Sequence, residues 1–137
     1  MKRIFKVGVI GATGYVGQRF ITLLDGHPWF QVTIVAASPR SAGKSYEEAV
    51  AGRWKIERPI PDAVRRLTVM STDDVERWCP EVDFVFCAVN MKKDEIRALE
   101  ERIAKLETPV ISNNSAHRWT VDVPVVIPEI NPDHTAL

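Results

Sequence analysis

The chain has 137 residues, the usual size of one globular domain, and 45% of them are hydrophobic, which is enough for a single core. Its 18 basic residues balance 18 acidic residues, so the composition does not suggest binding to nucleic acid or to an anionic membrane surface. No apolar run approaches the roughly 18 residues of a membrane span, and the two cysteines do not suggest an oxidising compartment, so we expect a cytoplasmic protein.

The first forty residues are typical of a strand, a helix and a second strand. Residues 4–10 form a short apolar run that ends at glycine, which indicates a buried strand. A signal peptide is the alternative, but a lysine interrupts the run and no small-residue cleavage site follows it. Residues 16–24 have apolar side chains at helical spacing, with His27-Pro28 at the helix end. Residues 31–37 predict the second strand.

The rest of the chain continues this alternation. Residues 38–61 are rich in Ser, Gly, Pro and charge, and they indicate an irregular excursion with one short helical piece. The elements predicted after it are, in order, a strand over 67–70, a helix over 73–78, a strand over 82–89, a helix over 92–106, a strand over 109–112 and a further strand over 123–127, interrupted by prolines. Strands alternating with helices predict an α/β, Rossmann-like, doubly wound and mainly parallel sheet in a single domain spanning residues 1–137.

The helix predicted over 92–106 is amphipathic. Its apolar side chains recur on one face, at Ile96, Leu99, Ile103 and Leu106. Its acidic side chains are expected on a solvated face, at Asp94, Glu95, Glu100 and Glu101.

A G-x-x-G-x-x-G pattern, from Gly11 to Gly17, lies between the first strand and the first helix. Gly11 allows a tight turn, Gly14 lets the backbone approach a pyrophosphate, and Gly17 lets the helix pack closely on the sheet. The helix N-terminus then offers free N–H groups and the positive end of its dipole to phosphates. The glycines alone are a weak signal, and a purely structural turn is the alternative, but their position between strand and helix favours dinucleotide binding.

The residues that follow the second strand indicate which dinucleotide is bound. An NAD site usually has Asp or Glu there to bind the ribose 2′-hydroxyl. The segment Ala37-Ser38-Pro39-Arg40-Ser41 has no carboxylate. Arg40 can bind a 2′-phosphate through its planar guanidinium, and the hydroxyls of Ser38 and Ser41 can add hydrogen bonds. This favours NADP(H), with a solvated surface role for Arg40 as the alternative.

Five motifs span essentially the whole chain, in this order: GATGYVGQRF, ASPRSAGKSY, DFVFCAV, ISNNSAHR and DVPVVIPEIN. Together they resemble aspartate-β-semialdehyde dehydrogenase, most of all the branch found in archaea, fungi and some bacteria. The resemblance implies NADPH-dependent reductive dephosphorylation of L-aspartyl-4-phosphate to the semialdehyde, on the route to lysine, threonine and methionine. Malonyl-CoA reductases and N-acetylglutamyl-phosphate reductases are related alternatives, and a stand-alone module that senses NADP(H) without catalysis is an alternative of another class.

The resemblance also implies which residues contact the cofactor and the substrate. The family's pyrophosphate loop corresponds to Thr13, Gly14, Tyr15 and Val16, and its 2′-phosphate site to Ser38, Arg40 and Ser41. The strand end beside the ribose corresponds to Cys87, Ala88 and Val89, and an asparagine near the nicotinamide corresponds to Asn113. Arg118 corresponds to an arginine that binds the substrate's phosphate, with an ordinary surface charge as the alternative.

The family's reaction needs a cysteine thiolate that attacks the acyl phosphate and a histidine that activates the thiol. The resemblance places this cysteine in an Asn-Cys-Ser/Thr segment after the PEIN motif, beyond Leu137, so we expect the catalytic and dimerisation domain outside this chain and no catalytic residue within it. Cys79 and Cys87 are expected to be inert. The resemblance also implies that the full-length protein is a homo-oligomer acting on a small acyl phosphate.

The three histidines match no catalytic position. His27, before a proline, is expected at a helix terminus, and His134 has no assigned role. His117 either faces the substrate side beside Arg118 or has no role there. We expect no metal site, because the two cysteines are eight positions apart with no paired histidine.

Overall fold

The strands of a computed structural model, which describes residues 2–136, are β1 (Phe5–Ile10), β2 (Phe30–Ala37), β3 (Val69–Ser71), β4 (Phe84–Cys87) and β5 (Val110–Ser112). They form one sheet in the order β3-β2-β1-β4-β5. Each neighbouring pair is parallel. The chain therefore crosses over from one side of β1 to the other between β3 and β4, and the predicted Rossmann-like α/β fold is confirmed.

The helices are α1 (Tyr15–Leu24), α2 (Tyr46–Ala49), α3 (Asp62–Arg65), α4 (Val75–Trp78) and α5 (Lys93–Lys105). The predicted helix over 73–78 is present as α4 preceded by a 3-10 turn over Thr72–Asp74, and the Ser71 hydroxyl caps that turn by accepting the backbone N–H of Asp73 at 3.1 Å. Two further 3-10 turns cover 79–81 and 132–136. Over residues 2–136, no helix is both long enough and apolar enough to cross a membrane.

Helices cover both faces of the sheet, as a parallel sheet requires. On one face, Ile21 and Leu24 of α1 pack on Val7 and Val9 of β1. On the other face, the buried side chains come from α4, α5 and the strands, among them Trp78, Leu99, Ile103, Val85 and Cys87. The apolar face predicted for α5 does bury that helix, through Ile96, Leu99 and Ile103. In α1 only part of the predicted apolar set is buried: Leu24 is buried, but Val16 and Leu23 are exposed, and Ile21 packs on the sheet in their place.

The prediction of a strand over 123–127 is wrong. In the described part of the chain these residues form no ladder with the sheet. Pro124 and Pro128 lack the N–H that a ladder needs. The backbone is held locally instead, because the Asn131 side chain accepts the N–H of Ile127 at 2.6 Å and donates to the carbonyl of Val125 at 2.8 Å.

The excursion over 38–61 is fixed to the glycine loop by two buried polar side chains. The Tyr46 hydroxyl donates to the carbonyl of Ala12 at 2.7 Å, and Tyr46 is fully buried. The Gln18 amide donates to the carbonyls of Thr13 and Arg53, each at 3.0 Å, and accepts the N–H of Lys55 at 2.8 Å. The glycine loop before α1 and the excursion over 38–61 are therefore held in a fixed position relative to each other.

We expect Tyr46→Phe to destabilise the chain by about 1–3 kcal/mol, because it leaves the buried carbonyl of Ala12 without its hydroxyl donor. Urea unfolding followed by circular dichroism measures this. Tyr15→Phe is the matched control, since Tyr15 is 65% exposed, and its effect should stay within about 0.5 kcal/mol. Equal, small effects of both substitutions would show that the Tyr46 hydrogen bond does not stabilise the fold.

Candidate cofactor site

The loops that the sequence analysis singled out meet at the carboxyl edge of the sheet. Ile10, the last residue of β1, is paired with Ala36 on one side and Cys87 on the other. Cys87 is in turn paired with Ser112, the last residue of β5. The segments that begin at Gly11, Ser38, Ala88 and Asn113 therefore leave the sheet at the same edge. This is the topological switch point, where open α/β sheets bind their ligands.

Two glycines of the loop are required by the structure itself. Gly11 has φ of +78°, and a Cβ there would lie 2.7 Å from the carbonyl carbon of Ala88, so the loops after β1 and β4 are in backbone contact. A Cβ on Gly17 would lie 2.7 Å from the Cα of Ala12. The close packing predicted for Gly17 is therefore present, and its partner is the loop backbone at the end of β1.

Gly14 differs from the other two glycines. A Cβ there would meet only the Gly11 carbonyl, at 3.5 Å, which is an ordinary contact. Gly14 is the N-cap of α1, and its carbonyl accepts the first helical hydrogen bond, from Gln18 N–H at 2.9 Å. No packing within the described residues demands glycine here, so the open space above it is available to a ligand.

The first turn of α1 is suited to an anion. As Gly14 has no side chain, it caps none of the N–H groups of Tyr15, Val16 and Gly17, and the first turn contains no acidic residue. These N–H groups have no helical partner, and they lie at the positive end of the helix dipole. The geometry and the charge both match a pyrophosphate.

A cavity of about 330 Å³ lies beside the loop that follows β2, and its polar lining includes Ser38, Arg40, Ser41, Lys44, Glu48 and Arg53. The structure thus brings together the three residues predicted for the 2′-phosphate. The one carboxylate is engaged elsewhere, because Glu48 accepts the backbone N–H of Ser45 at 2.9 Å and its hydroxyl at 2.8 Å. These hydrogen bonds hold the pKa of Glu48 below its ordinary value.

Arg53 was missed by the sequence analysis. Its guanidinium donates to the carbonyl of Ala49 at 2.6 Å and lies 3.5 Å from the Ser41 hydroxyl. Its place in the cavity depends on Gln18 of α1, whose side-chain amide donates to the backbone carbonyl of Arg53. Nothing in the local sequence around residue 53 marks this tertiary contact.

The end of β4 contributes backbone to the site. Ala88 N–H donates to the carbonyl of Ile10 at 2.9 Å, and the carbonyl of Cys87 accepts the N–H of Asn113 at 3.2 Å. The Cys87 thiol lies in the core, where burial, followed by the charge of Glu100, raises its pKa to about 12. Burial likewise raises the pKa of Cys79 to about 11. Both thiols therefore stay protonated at neutral pH and are poor nucleophiles.

Asn113 directly follows β5 at the same edge, while Arg118 lines a cavity of about 540 Å³ between α5 and the segment from Thr108 to Asn114; both residues are exposed. The Arg118 backbone N–H closes a turn onto the Ser115 carbonyl at 3.3 Å. His117 lies between two side chains: its Nδ1 is 3.1 Å from the Thr120 hydroxyl and its Nε2 is 4.0 Å from a Glu101 carboxylate oxygen. Its ring is therefore engaged with α5 and its own turn.

Comparison with known proteins matches residues 6–137 to the family model described as the NAD-binding domain of semialdehyde dehydrogenase. An aspartate-semialdehyde dehydrogenase of Archaeoglobus fulgidus is 43% identical over 97% of this chain and 37% of its own. A malonyl CoA reductase (NADP) of Metallosphaera sedula is 38% identical over 98% of this chain and 36% of its own. The crystal structure of aspartate-semialdehyde dehydrogenase with NADP from Candida albicans superposes with a TM-score of 0.89 and 38% identity, over 97% of this chain and 36% of that one. The chain thus spans about a third of these relatives' length.

Alanine at two glycines should separate folding from ligand binding. Gly17→Ala forces a methyl group against the backbone of the loop, so we expect a loss of about 1–3 kcal/mol in unfolding free energy. Gly14→Ala meets only an ordinary contact and should cost less than about 1 kcal/mol. Its methyl group would nevertheless occupy the approach of a pyrophosphate. Urea unfolding and NADPH titration measure the two effects, and wild-type affinity in Gly14→Ala would contradict the assignment of this loop.

Both cysteines should be unreactive towards a disulfide reagent in the native chain at pH 8, and both should react after unfolding in urea. Since their folded pKa values lie at about 11 and about 12, the unfolded chain loses its thiol protons first as the pH rises. The unfolding free energy should therefore fall from about pH 8.5 upward. Rapid labelling of Cys87 in the native chain would contradict its placement in the core.

Proposed function

We propose that this chain, which belongs to the family of semialdehyde dehydrogenase NAD-binding domains, binds NADP(H) across the carboxyl edge of its sheet. The pyrophosphate would lie on the uncapped first turn of α1, and the 2′-phosphate would lie in the cavity after β2. The observation that supports the choice of NADP(H) most directly is this cavity, which presents Arg40, Lys44 and Arg53 while its one carboxylate is bound to Ser45.

The residues along the carboxyl edge match the chemical groups of this cofactor, from the 2′-phosphate to the nicotinamide. The loop residues proposed for the pyrophosphate are Gly11, Thr13, Gly14, Tyr15, Val16 and Gly17. The hydroxyls and guanidinium proposed for the 2′-phosphate belong to Ser38, Arg40 and Ser41, with Arg53 beside them. The ribose would pass the backbone of Cys87 and Ala88, and the nicotinamide would reach Asn113. Arg118 is proposed to bind the substrate's phosphate through its exposed guanidinium.

For the whole protein we propose the reductive dephosphorylation of L-aspartyl-4-phosphate to L-aspartate 4-semialdehyde, in the cytoplasm. Two buried free thiols are compatible with such a reducing compartment. A cysteine thiolate would displace phosphate from the acyl phosphate, and a histidine would hold the thiol proton. Bound NADPH supplies the hydride that reduces the resulting thioester to the aldehyde.

These catalytic groups are proposed to lie in the two thirds of the relatives' length that this chain does not span, together with the surface for a homo-oligomer. Residues 1–137 would then form the cofactor domain alone. Within residues 2–136 the two thiols are buried and protonated, so we expect this chain to bind the cofactor without turning over the substrate.

Reduction of malonyl-CoA is the second candidate, since the malonyl CoA reductase of Metallosphaera sedula is 38% identical over nearly the whole chain. The two reactions share a thioester and a hydride donor, and they differ in the leaving group, phosphate or coenzyme A. Arg118 favours the acyl phosphate, because a guanidinium binds phosphate with two parallel hydrogen bonds. Assays of the full-length enzyme with each substrate would decide between them.

Titration of the chain with NADPH and with NADH tests the cofactor proposal. We expect NADPH to bind more tightly, and Arg40→Ala to weaken NADPH by about tenfold or more, because a charge-assisted hydrogen bond to phosphate is lost. The affinity for NADH, which lacks the 2′-phosphate, should change less than about twofold on the same argument.

Arg77→Ala is the matched control for Arg40→Ala, since Arg77 is an exposed arginine on α4, outside the cavity. It should leave both affinities unchanged. Equal affinity of the wild-type chain for NADPH and NADH, or binding of neither, would refute the assignment of the 2′-phosphate cavity.

A further inference from the structure

Glu100 on α5 is a buried carboxylate, which corrects the expectation that it belongs to a solvated face. It is only 5% exposed. Its Oε1 accepts a hydrogen bond from the Ser112 hydroxyl and one from the Asn114 side-chain amide, the latter at 3.2 Å. The other acidic residues named with it, Asp94, Glu95 and Glu101, are exposed as expected. Glu100 thus faces inward towards the turn that follows β5.

Both ends of this turn are tied to the same carboxylate. Ser112 is the last residue of β5, and its hydroxyl also accepts the backbone N–H of Asn114 at 3.0 Å. The Asn114 amide lies 3.5 Å from both the carbonyl and the sulfur of Cys87. Between them, Asn113 donates its own N–H to that carbonyl at 3.2 Å. The backbone of Asn113 is therefore held on both sides while its side chain stays exposed.

Two neighbours of Glu100 on α5 extend this support. Arg97 donates to the carbonyl of Ala116 at 2.7 Å, and a Glu101 oxygen lies 4.0 Å from His117 Nε2. Residues 97, 100 and 101 are spaced by three and four positions, so they share one face of the helix. This face contacts the segment from Ser112 to His117 at three successive points, and Arg118 comes directly after the last one.

We propose that Glu100 is a positioning residue, which fixes the segment 112–118 so that Asn113 points towards the nicotinamide half of the dinucleotide and Arg118 stays in the adjoining cavity beside β5. The inference rests on the proposed function for the identity of that ligand. A carboxylate buried at this position costs desolvation energy that an apolar side chain would not. What the carboxylate adds is a pair of directed hydrogen bonds to one turn, which a leucine of similar volume cannot make.

Hydrogen exchange of the 137-residue chain tests the anchoring without any ligand. In Glu100→Leu, the amides of 113–118 should exchange about tenfold faster or more, because a hydrogen bond to a charged group is lost. Glu100→Gln keeps an acceptor oxygen and should restore most of the protection. Ser112→Ala removes one of the two donors at an exposed position and should give a partial acceleration.

Glu76→Leu is the matched control for Glu100→Leu. Glu76 is an exposed carboxylate on α4 that accepts two hydrogen bonds from Arg102, at 2.9 and 2.7 Å, so its loss removes the same charge and the same number of side-chain hydrogen bonds. It should leave exchange over 113–118 unchanged. Unchanged exchange of this segment in both Glu100→Leu and Ser112→Ala would overturn the anchoring.

Comparing NADPH with 2′,5′-ADP tests whether Glu100 affects only the nicotinamide half of the site, since 2′,5′-ADP has the 2′-phosphate but no nicotinamide. In Glu100→Leu we expect the affinity for NADPH to fall several-fold and that for 2′,5′-ADP to change less than about twofold. Equal weakening of both ligands would overturn the positioning role in favour of a general loss of structure. A wild-type chain that binds neither ligand would contradict the proposed function, while faster exchange over 113–118 would still support the anchoring.

Discussion

The backbone contact between Gly11 and Ala88 is the constraint on which the site depends. Gly11 turns with φ of +78° directly against the carbonyl of Ala88, where any side chain would clash. Because β1 is the central strand, this contact joins the two halves of the sheet at their carboxyl ends. Directly after this turn, α1 begins at Tyr15 with its first N–H groups uncapped, since the N-cap residue is Gly14. A ligand that spans the edge would then meet both loops at once.

The two ends of the proposed ligand site are supported by different means. On the β2 side, Gln18 and Tyr46 hold the excursion against the glycine loop, and so bring Arg53 next to Arg40. On the β5 side, Glu100 ties the turn after the strand to α5. The cavity on the β2 side presents Arg40, Lys44 and Arg53, whereas the β5 side is built around the buried carboxylate of Glu100.

The sequence was sufficient to predict those helices, strands and loops that are encoded by a local pattern of residues. The apolar periods of α1 and α5, the buried run of β1 and the glycine spacing all correspond to observed elements. The run over 123–127 was predicted as a strand because its residues are β-prone, but Pro124 within it, Pro128 after it and the hydrogen bonds of Asn131 hold it outside the sheet.

The polar contacts that complete the site could not be predicted in the same way. Gln18, Arg53 and Glu100 look like ordinary surface residues of a helix or a loop, and each has its role only through a partner more than ten positions away. The family resemblance indicated the cofactor and the edge of the sheet. The buried side chains that shape the site depend on tertiary packing, which no local pattern encodes.

A crystal structure of the chain with NADP+ would locate both ends of the dinucleotide. We expect the pyrophosphate on the N–H groups of Tyr15, Val16 and Gly17, and the 2′-phosphate between Arg40 and Ser41 with Arg53 close by. The nicotinamide would extend past Ala88 towards Asn113. A 2′-phosphate bound outside the cavity after β2, or a dinucleotide bound away from the carboxyl edge, would contradict the proposed site.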